Sequence, residues 1–283
     1  HDGHDNFTTA KGDDVHNQWL KILSILLKDM DIDEEDFTYM KKVEDELKSE
    51  YEKYDKIKEF NQLKVLRAMQ KARLSDIHFS STTGYGYNDI GREKVEEIFA
   101  NVFNAEDALV RPSIANGTHA LSICLNALLM PGDTMLAITG KPYDTLDNVI
   151  GIVDEEMSLK EYGIKYKQVD LINNGDFDID KIKEELVADK SIKMAYIQRS
   201  KGYSTRKSIT VNDIKKIVKE IRLVRQDTTI MVDNCYGEFL DYLEPTDVGV
   251  DIMAGSLIKN PGGGLAITGG YIVGRQPLVE RCA

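Results

Sequence analysis

Lys259 sits in the run V-D-I-M-A-G-S-L-I-K-N-P-G-G-G-L-A-I-T-G-G-Y, residues 250–271. An apolar, strand-like stretch ends at Met253, and Pro261 and three glycines follow the lysine. With Leu257, Ile258, Pro261 and Leu265 around it, the amine is expected to be desolvated. A desolvated lysine is a nucleophile that can form a Schiff base. The glycines permit positive φ and close approach of another group. The same stretch also reads as a glycine-rich hairpin with a surface lysine.

Three further groups have chemistry to offer. Asp233 ends an apolar strand in V-D-N-C-Y-G-E, residues 232–238. A buried carboxylate there needs a cation: a protonated pyridine nitrogen, or an arginine or lysine of the fold. Asn116-Gly117-Thr118-His119 falls at a strand-to-helix turn. Free amides at a helix N-terminus bind phosphate, and Gly117 allows the approach, although such turns are also common structural features. His119 either stacks on a ring or is a capped core histidine. Tyr143 follows Pro142 just after a strand, placed to lay its ring on a flat cofactor or to pack in the core. Pyridoxal phosphate needs a lysine, an acid at the ring nitrogen, a phosphate cradle and an aromatic stack. Candidates for all four occur in the order cradle, stack, acid, lysine, with 26 residues from Asp233 to Lys259.

The elements that must position these residues alternate. Strands are expected at 108–110, 135–139, 164–169, 194–197 and 229–232. Helices are expected at 120–129, 178–187 and 210–224, with another opening at 140–145. This alternation predicts an α/β fold, a mostly parallel sheet with helices on both faces. Ligands bind such sheets beyond the carboxyl ends of the strands. Ahead of it, residues 1–17 read as a loose polar tail, 19–27 as a short amphipathic helix and 37–60 as a charged helix. Asn61 is expected to cap the next helix, which buries Leu63, Val65, Leu66 and Met69. Residues 78–93 read as a long, glycine- and tyrosine-rich loop before a helix at 92–103. The expected organisation is 1–60 as N-terminal tail and helices and 61–283 as the cofactor-binding large domain.

Composition narrows the partners. A net charge of −12 over 283 residues argues against nucleic acid or an anionic membrane surface. No apolar run is long enough to span a bilayer, and no secretory signal opens the chain. Three scattered cysteines, Cys124, Cys235 and Cys282, suggest a reduced, cytoplasmic protein. No Cys/His spacing resembles a zinc site.

The stretches S-T-T-G-Y-G-Y-N-D-I-G-R-E, R-P-S-I-A-N-G-T-H-A, T-G-K-P-Y-D-T-L, I-Q-R-S-K-G-Y-S, V-D-N-C-Y-G-E-F and A-G-S-L-I-K-N-P-G-G-G resemble the aluminium-resistance proteins. These are methionine gamma-lyase-like or cystathionine beta-lyase-like members of the Cys/Met-metabolism group of fold-type-I pyridoxal-phosphate enzymes. The resemblance covers about residues 33–281 and implies roles position by position. Lys259 matches the Schiff-base lysine and Asp233 the acid at the pyridine nitrogen. Gly117 and Thr118 match the phosphate cradle, His119 beside them is a further cofactor-binding candidate, and Ser256 matches a phosphate-binding hydroxyl. Tyr143 matches the stacking tyrosine, with a catalytic part beside Lys259 and Asp233. Tyr87 matches a tyrosine reaching the phosphate of a neighbouring subunit, which implies a homodimer or homotetramer. The group's arginine two residues after that tyrosine is replaced by Asp89, so Arg92 would have to substitute. The group's C-terminal small domain, which carries the substrate-carboxylate arginine, is expected to be absent from this chain.

The expected function is therefore carbon–sulfur elimination from a sulfur-containing amino acid. Its rivals are an aldolase or transferase on the same fold, a chain that binds cofactor without turnover, and an α/β nucleotide-binding module. The last is disfavoured because no Walker lysine follows Gly117.

Overall fold

The computed structural model describes residues 9–82 and 89–283. Contacts divide the chain into two units, His1–Lys56 and Ile57–Ala283.

The first unit holds α1 (Thr9–Asp29) and the start of α2 (Glu34–Lys71). The helix expected at 19–27 thus begins at Thr9, within the stretch read as tail. Between 9 and 18 the sequence has one glycine and no proline, and extending a formed helix is far cheaper than nucleating one. Asp31 ends α1 in the left-handed region at φ 53°. The Ile32 amide donates to Leu27 O (2.9 Å) and Asp31 N–H to Lys28 O (3.2 Å), the two bonds of a Schellman stop. Glu34, Glu35 and Asp36 then place negative charge at the N-terminus of α2, where the helix dipole favours it.

α2 does not break at Asn61. That side chain is buried, and its amide donates to Ile57 O, Phe239 O and Asp241 O at 3.0, 3.2 and 3.0 Å. The expected cap is a tie between the helix and a turn far along the chain.

The second unit is built on seven strands: β1 (Asp107–Arg111), β2 (Thr134–Ala137), β3 (Lys165–Gln168), β4 (Ile192–Gln198), β5 (Thr229–Asp233), β6 (Ile252–Ser256) and β7 (Gly270–Gly274). Their order is β1-β7-β6-β5-β4-β2-β3. Strands β3, β2, β4, β5 and β6 pair in parallel, and β7 runs antiparallel between β6 and β1. Successive residues face opposite layers, and both layers are buried. Leu136, Ala195, Ile197, Ile230 and Val232 point to one core. That core takes in α3 (Ile90–Val102), α6 (Ile179–Ala188) and α7 (Val211–Val224). Met135, Ala137, Met194, Tyr196 and Met231 point to the other. It takes in α4 (Gly117–Leu128), α5 (Asp147–Ile150) and α8 (Gln276–Cys282).

The expected α/β architecture is therefore present. One detail differs. The run after the three glycines does not pair at once, for Leu265 and Ile267 are 89% and 94% exposed and β7 begins only at Gly270. Among the described residues no helix is long and apolar enough to cross a membrane.

Candidate active site

The carboxyl ends of β2, β4, β5 and β6 and the start of α4 open onto one cavity of about 540 Å³. Asp233, Lys259, Gly117, Thr118, Tyr143 and Ser256 all line it. Residues 233 and 259 thus share one edge of the sheet.

Asp233 closes β5 and is 4% exposed. Its carboxylate accepts from Cys235 N (3.0 Å) and Tyr196 OH (3.5 Å). Burial pushes its carboxyl up to about 6, and the bonds from Cys235 and Tyr196 only partly oppose this. No lysine or arginine among the described residues pairs with it.

α4 begins at Gly117 because Asn116 caps it, accepting from His119 N at 2.9 Å. The amides of Gly117 and Thr118 have no acceptor among the described residues. A β-carbon at 117 would stand 2.8 Å from Cys235 Sγ and 3.3 Å from Ser256 Cβ, so the helix start and the ends of β5 and β6 meet only because this residue is glycine. Thr118 Oγ1 lies 2.7 Å from Thr145 Oγ1. Ser256, the last residue of β6, is buried and accepts from Ile258 N at 3.3 Å. His119 neither stacks in the cavity nor enters the core. It is exposed, and its Nδ1 accepts from Ala115 N at 3.2 Å, because its position on the first turn of α4 faces outward.

Tyr143 is held by its own backbone, whose N–H donates to Gln198 Oε1 (2.5 Å) at the end of β4. Its ring lies 5.7 Å from that of Tyr203, and its hydroxyl donates to Tyr203 OH at 3.1 Å. That bond, more than burial, pushes the Tyr143 phenol up to about 12.

Lys259 is half-buried, not sealed. Ile258 is 44% exposed and Leu265 faces solvent, so the apolar residues that predicted desolvation do not enclose the amine. The amine instead donates to Tyr236 OH at 2.5 Å and sits 4.3 Å from the centre of that ring.

Tyr87 lies outside the described residues. Asp89, by contrast, caps α3 and accepts from Arg92 N at 3.2 Å, and Arg92 Nε lies 3.4 Å from the same carboxylate. Arg92, the expected substitute for the missing arginine, is thus paired on its own helix.

The sequence reading passed over Tyr236, Tyr203, Cys235, Ser200 and Ser208, which also line the cavity. The signal was available for two of them, since Cys235 and Tyr236 directly follow Asp233 at a strand end. It also missed the support beneath. Arg199, 4% exposed, donates to Asn234 Oδ1 (2.9 Å) and to Gly237 O. Tyr271 OH donates to Glu238 Oε1 at 2.7 Å, and burial pushes the Glu238 carboxyl up to about 8.

The layering and the mainly parallel strand order are those of fold-type-I enzymes. The methionine gamma-lyase family model matches residues 37–283, and the chain belongs to that family. A crystal structure from Clostridium acetobutylicum, described as a putative cystathionine beta-lyase involved in aluminum resistance, is 50% identical with a TM-score of 0.88. The alignment covers 91% of this chain and 62% of that one. The uncharacterized protein YnbB of Bacillus subtilis (strain 168) is 47% identical over 85% of this chain and 57% of its own. L-methionine gamma-lyase of Pseudomonas putida is 26% identical over 70% of this chain and 45% of its own. The chain thus spans about three-fifths of the length of the Clostridium protein and of YnbB.

Proposed function

We propose that the protein binds pyridoxal phosphate and acts as a carbon–sulfur lyase on a sulfur-containing amino acid. The observation that carries this reading is Asp233. It is a buried carboxylate that faces the cavity without a cation among the described residues, and isolated buried charge is costly. A cationic ring nitrogen would remove that cost. The other donors fit the same group: free amides at Gly117 and Thr118 and the Ser256 hydroxyl suit a phosphate, and Tyr143 suits a ring face.

When bound, pyridoxal phosphate supplies an electron sink for the carbanion at the amino acid's Cα. This chain's residues do the rest. The Lys259 amine would carry the cofactor covalently and, once free, take the Cα proton. Asp233 holds the ring nitrogen in its protonated form. The start of α4 and Ser256 would hold the phosphate, in the same cavity as the lysine. Elimination of a thiol from a thioether amino acid is supported by the names of the Pseudomonas and Clostridium relatives. Three free thiols support a reduced, cytoplasmic setting. A homodimer or homotetramer, an amino-acid substrate and no nucleic-acid or membrane partner complete the proposal.

Incubation of the cofactor-treated protein with methionine and with cystathionine tests it. Release of 2-oxobutyrate or pyruvate is expected. A visible cofactor band with no keto acid from either substrate would overturn the lyase assignment and leave cofactor binding alone.

A further inference from the structure

Tyr236 has no role in the proposal so far, yet its position is unusual. Its backbone is left-handed at φ 65°, a conformation that bulky residues rarely adopt. The turn that imposes it is fixed from below. Gly237 N–H donates to Asn234 O at 2.8 Å, while Arg199 holds Asn234 Oδ1 and Gly237 O. A β-carbon at 237 would stand 2.6 Å from the Arg199 side chain and 2.7 Å from Asn234 Oδ1, so the turn has no room to shift. The strained residue carries its phenol to within 2.5 Å of Lys259 Nζ. Among the described residues, Tyr236 is the one side chain hydrogen-bonded to the amine.

We infer that Tyr236 is the proton relay for covalent chemistry at Lys259, a role that rests on the proposed cofactor reading. Joining an amine to an aldehyde moves a proton from nitrogen to oxygen twice. In the first step the neutral Nζ lone pair forms the C–N bond, and the carbonyl π pair moves onto oxygen. The phenol gives that oxygen its proton and takes one from nitrogen. In the second step the C–O bond breaks as the nitrogen pair forms the C=N bond. The phenol gives its proton to the departing hydroxyl, which leaves as water, and takes the last proton from nitrogen. Tyr236 ends each step unchanged, and no oxidant or reductant is needed. When an amino acid displaces the lysine, the same relay runs between two amines. A hydroxyl that both donates and accepts beside the nitrogen meets this need; the phenyl ring alone does not.

The test is the rate at which the visible band grows when the full chain is mixed with pyridoxal phosphate in stopped flow. Tyr236→Phe keeps the ring and removes the hydroxyl. Because the site is open to solvent, the expected slowing is about tenfold, below the usual contribution of a positioned acid–base group. The final band and the thermal melting temperature should match wild type, and millimolar imidazole should restore much of the rate. Loading of Tyr236→Phe at the wild-type rate would overturn the relay and leave the cofactor reading intact. A loss of band amplitude and melting temperature together, without rescue by imidazole, would reduce Tyr236 to a structural role. Absence of any band in the wild-type protein would remove the cofactor reading and the relay with it.

Discussion

Asp233 and Glu244 are buried acids on either side of one turn, and the fold treats them in opposite ways. Glu244 has no exposed surface. It accepts from Phe239 N at 2.9 Å, with Lys64 Nζ at 3.7 Å and an Arg199 nitrogen at 3.9 Å. Burial pushes both carboxyls up, but at Glu244 two cations oppose it, and at Asp233 none does. One acid has its charge countered within the protein, although its Oε2 makes no hydrogen bond. The other has both oxygens hydrogen-bonded but meets no cation among the described residues. A buried carboxylate left without a cation at the mouth of a cavity marks the site.

Four substitutions sharpen that contrast. Arg199→Ala removes one of the two cations beside Glu244 and leaves Asn234 Oδ1 and Gly237 O without their donor. Urea denaturation should show a loss of about 4 kcal/mol. An unchanged midpoint would mean that the turn holds itself.

Glu238 tests the same cluster through pH. Its carboxyl is raised from 4.5 to about 8, so between those values the folded chain binds more protons than the unfolded chain. Stability should therefore fall as pH rises from 4.5 through 8. Glu238→Gln should flatten the slope between pH 6 and 8, above the window in which Asp233 titrates, and a slope that survives there would assign it elsewhere.

Asp233→Asn should have opposite effects on fold and function. The carboxyl is raised from 3.8 to about 6, so its penalty to the cofactor-free chain develops over that window and is complete above it. At pH 8 the variant should be more stable by about 3 kcal/mol, with no gain below pH 4. Its affinity for pyridoxal phosphate should drop sharply in equilibrium titration. A variant both less stable and equally able to bind would reverse the reading of Asp233. Gly117→Ala is the mildest of the four. Its methyl would press on Cys235 Sγ, and calorimetry should show a loss of about 1 kcal/mol.

Much of this arrangement can be read from sequence, for local reasons. Apolar strands alternating with capped helices announce the sheet, and Asp233 and Gly117 stand where strands end and helices begin. Thr210 shows how local the signal is: its capping box with Asp213, three residues on, starts α7 as expected. What escapes depends on partners distant in sequence. Asn61 reads as a cap because its acceptors, Phe239 and Asp241, lie almost 180 residues away. Lys259 reads as buried because its apolar neighbours are visible in sequence but the direction they face is not. The strained backbone of Tyr236 is set by Arg199, which no local pattern connects to it.

The most direct test of the central claim is chemical. The protein is incubated with pyridoxal phosphate, reduced with borohydride, digested and mapped by mass spectrometry. A pyridoxyl group on Lys259, lost in Lys259→Ala, is the predicted result; no modification at residue 259, or labelling scattered over the surface lysines alone, would contradict it.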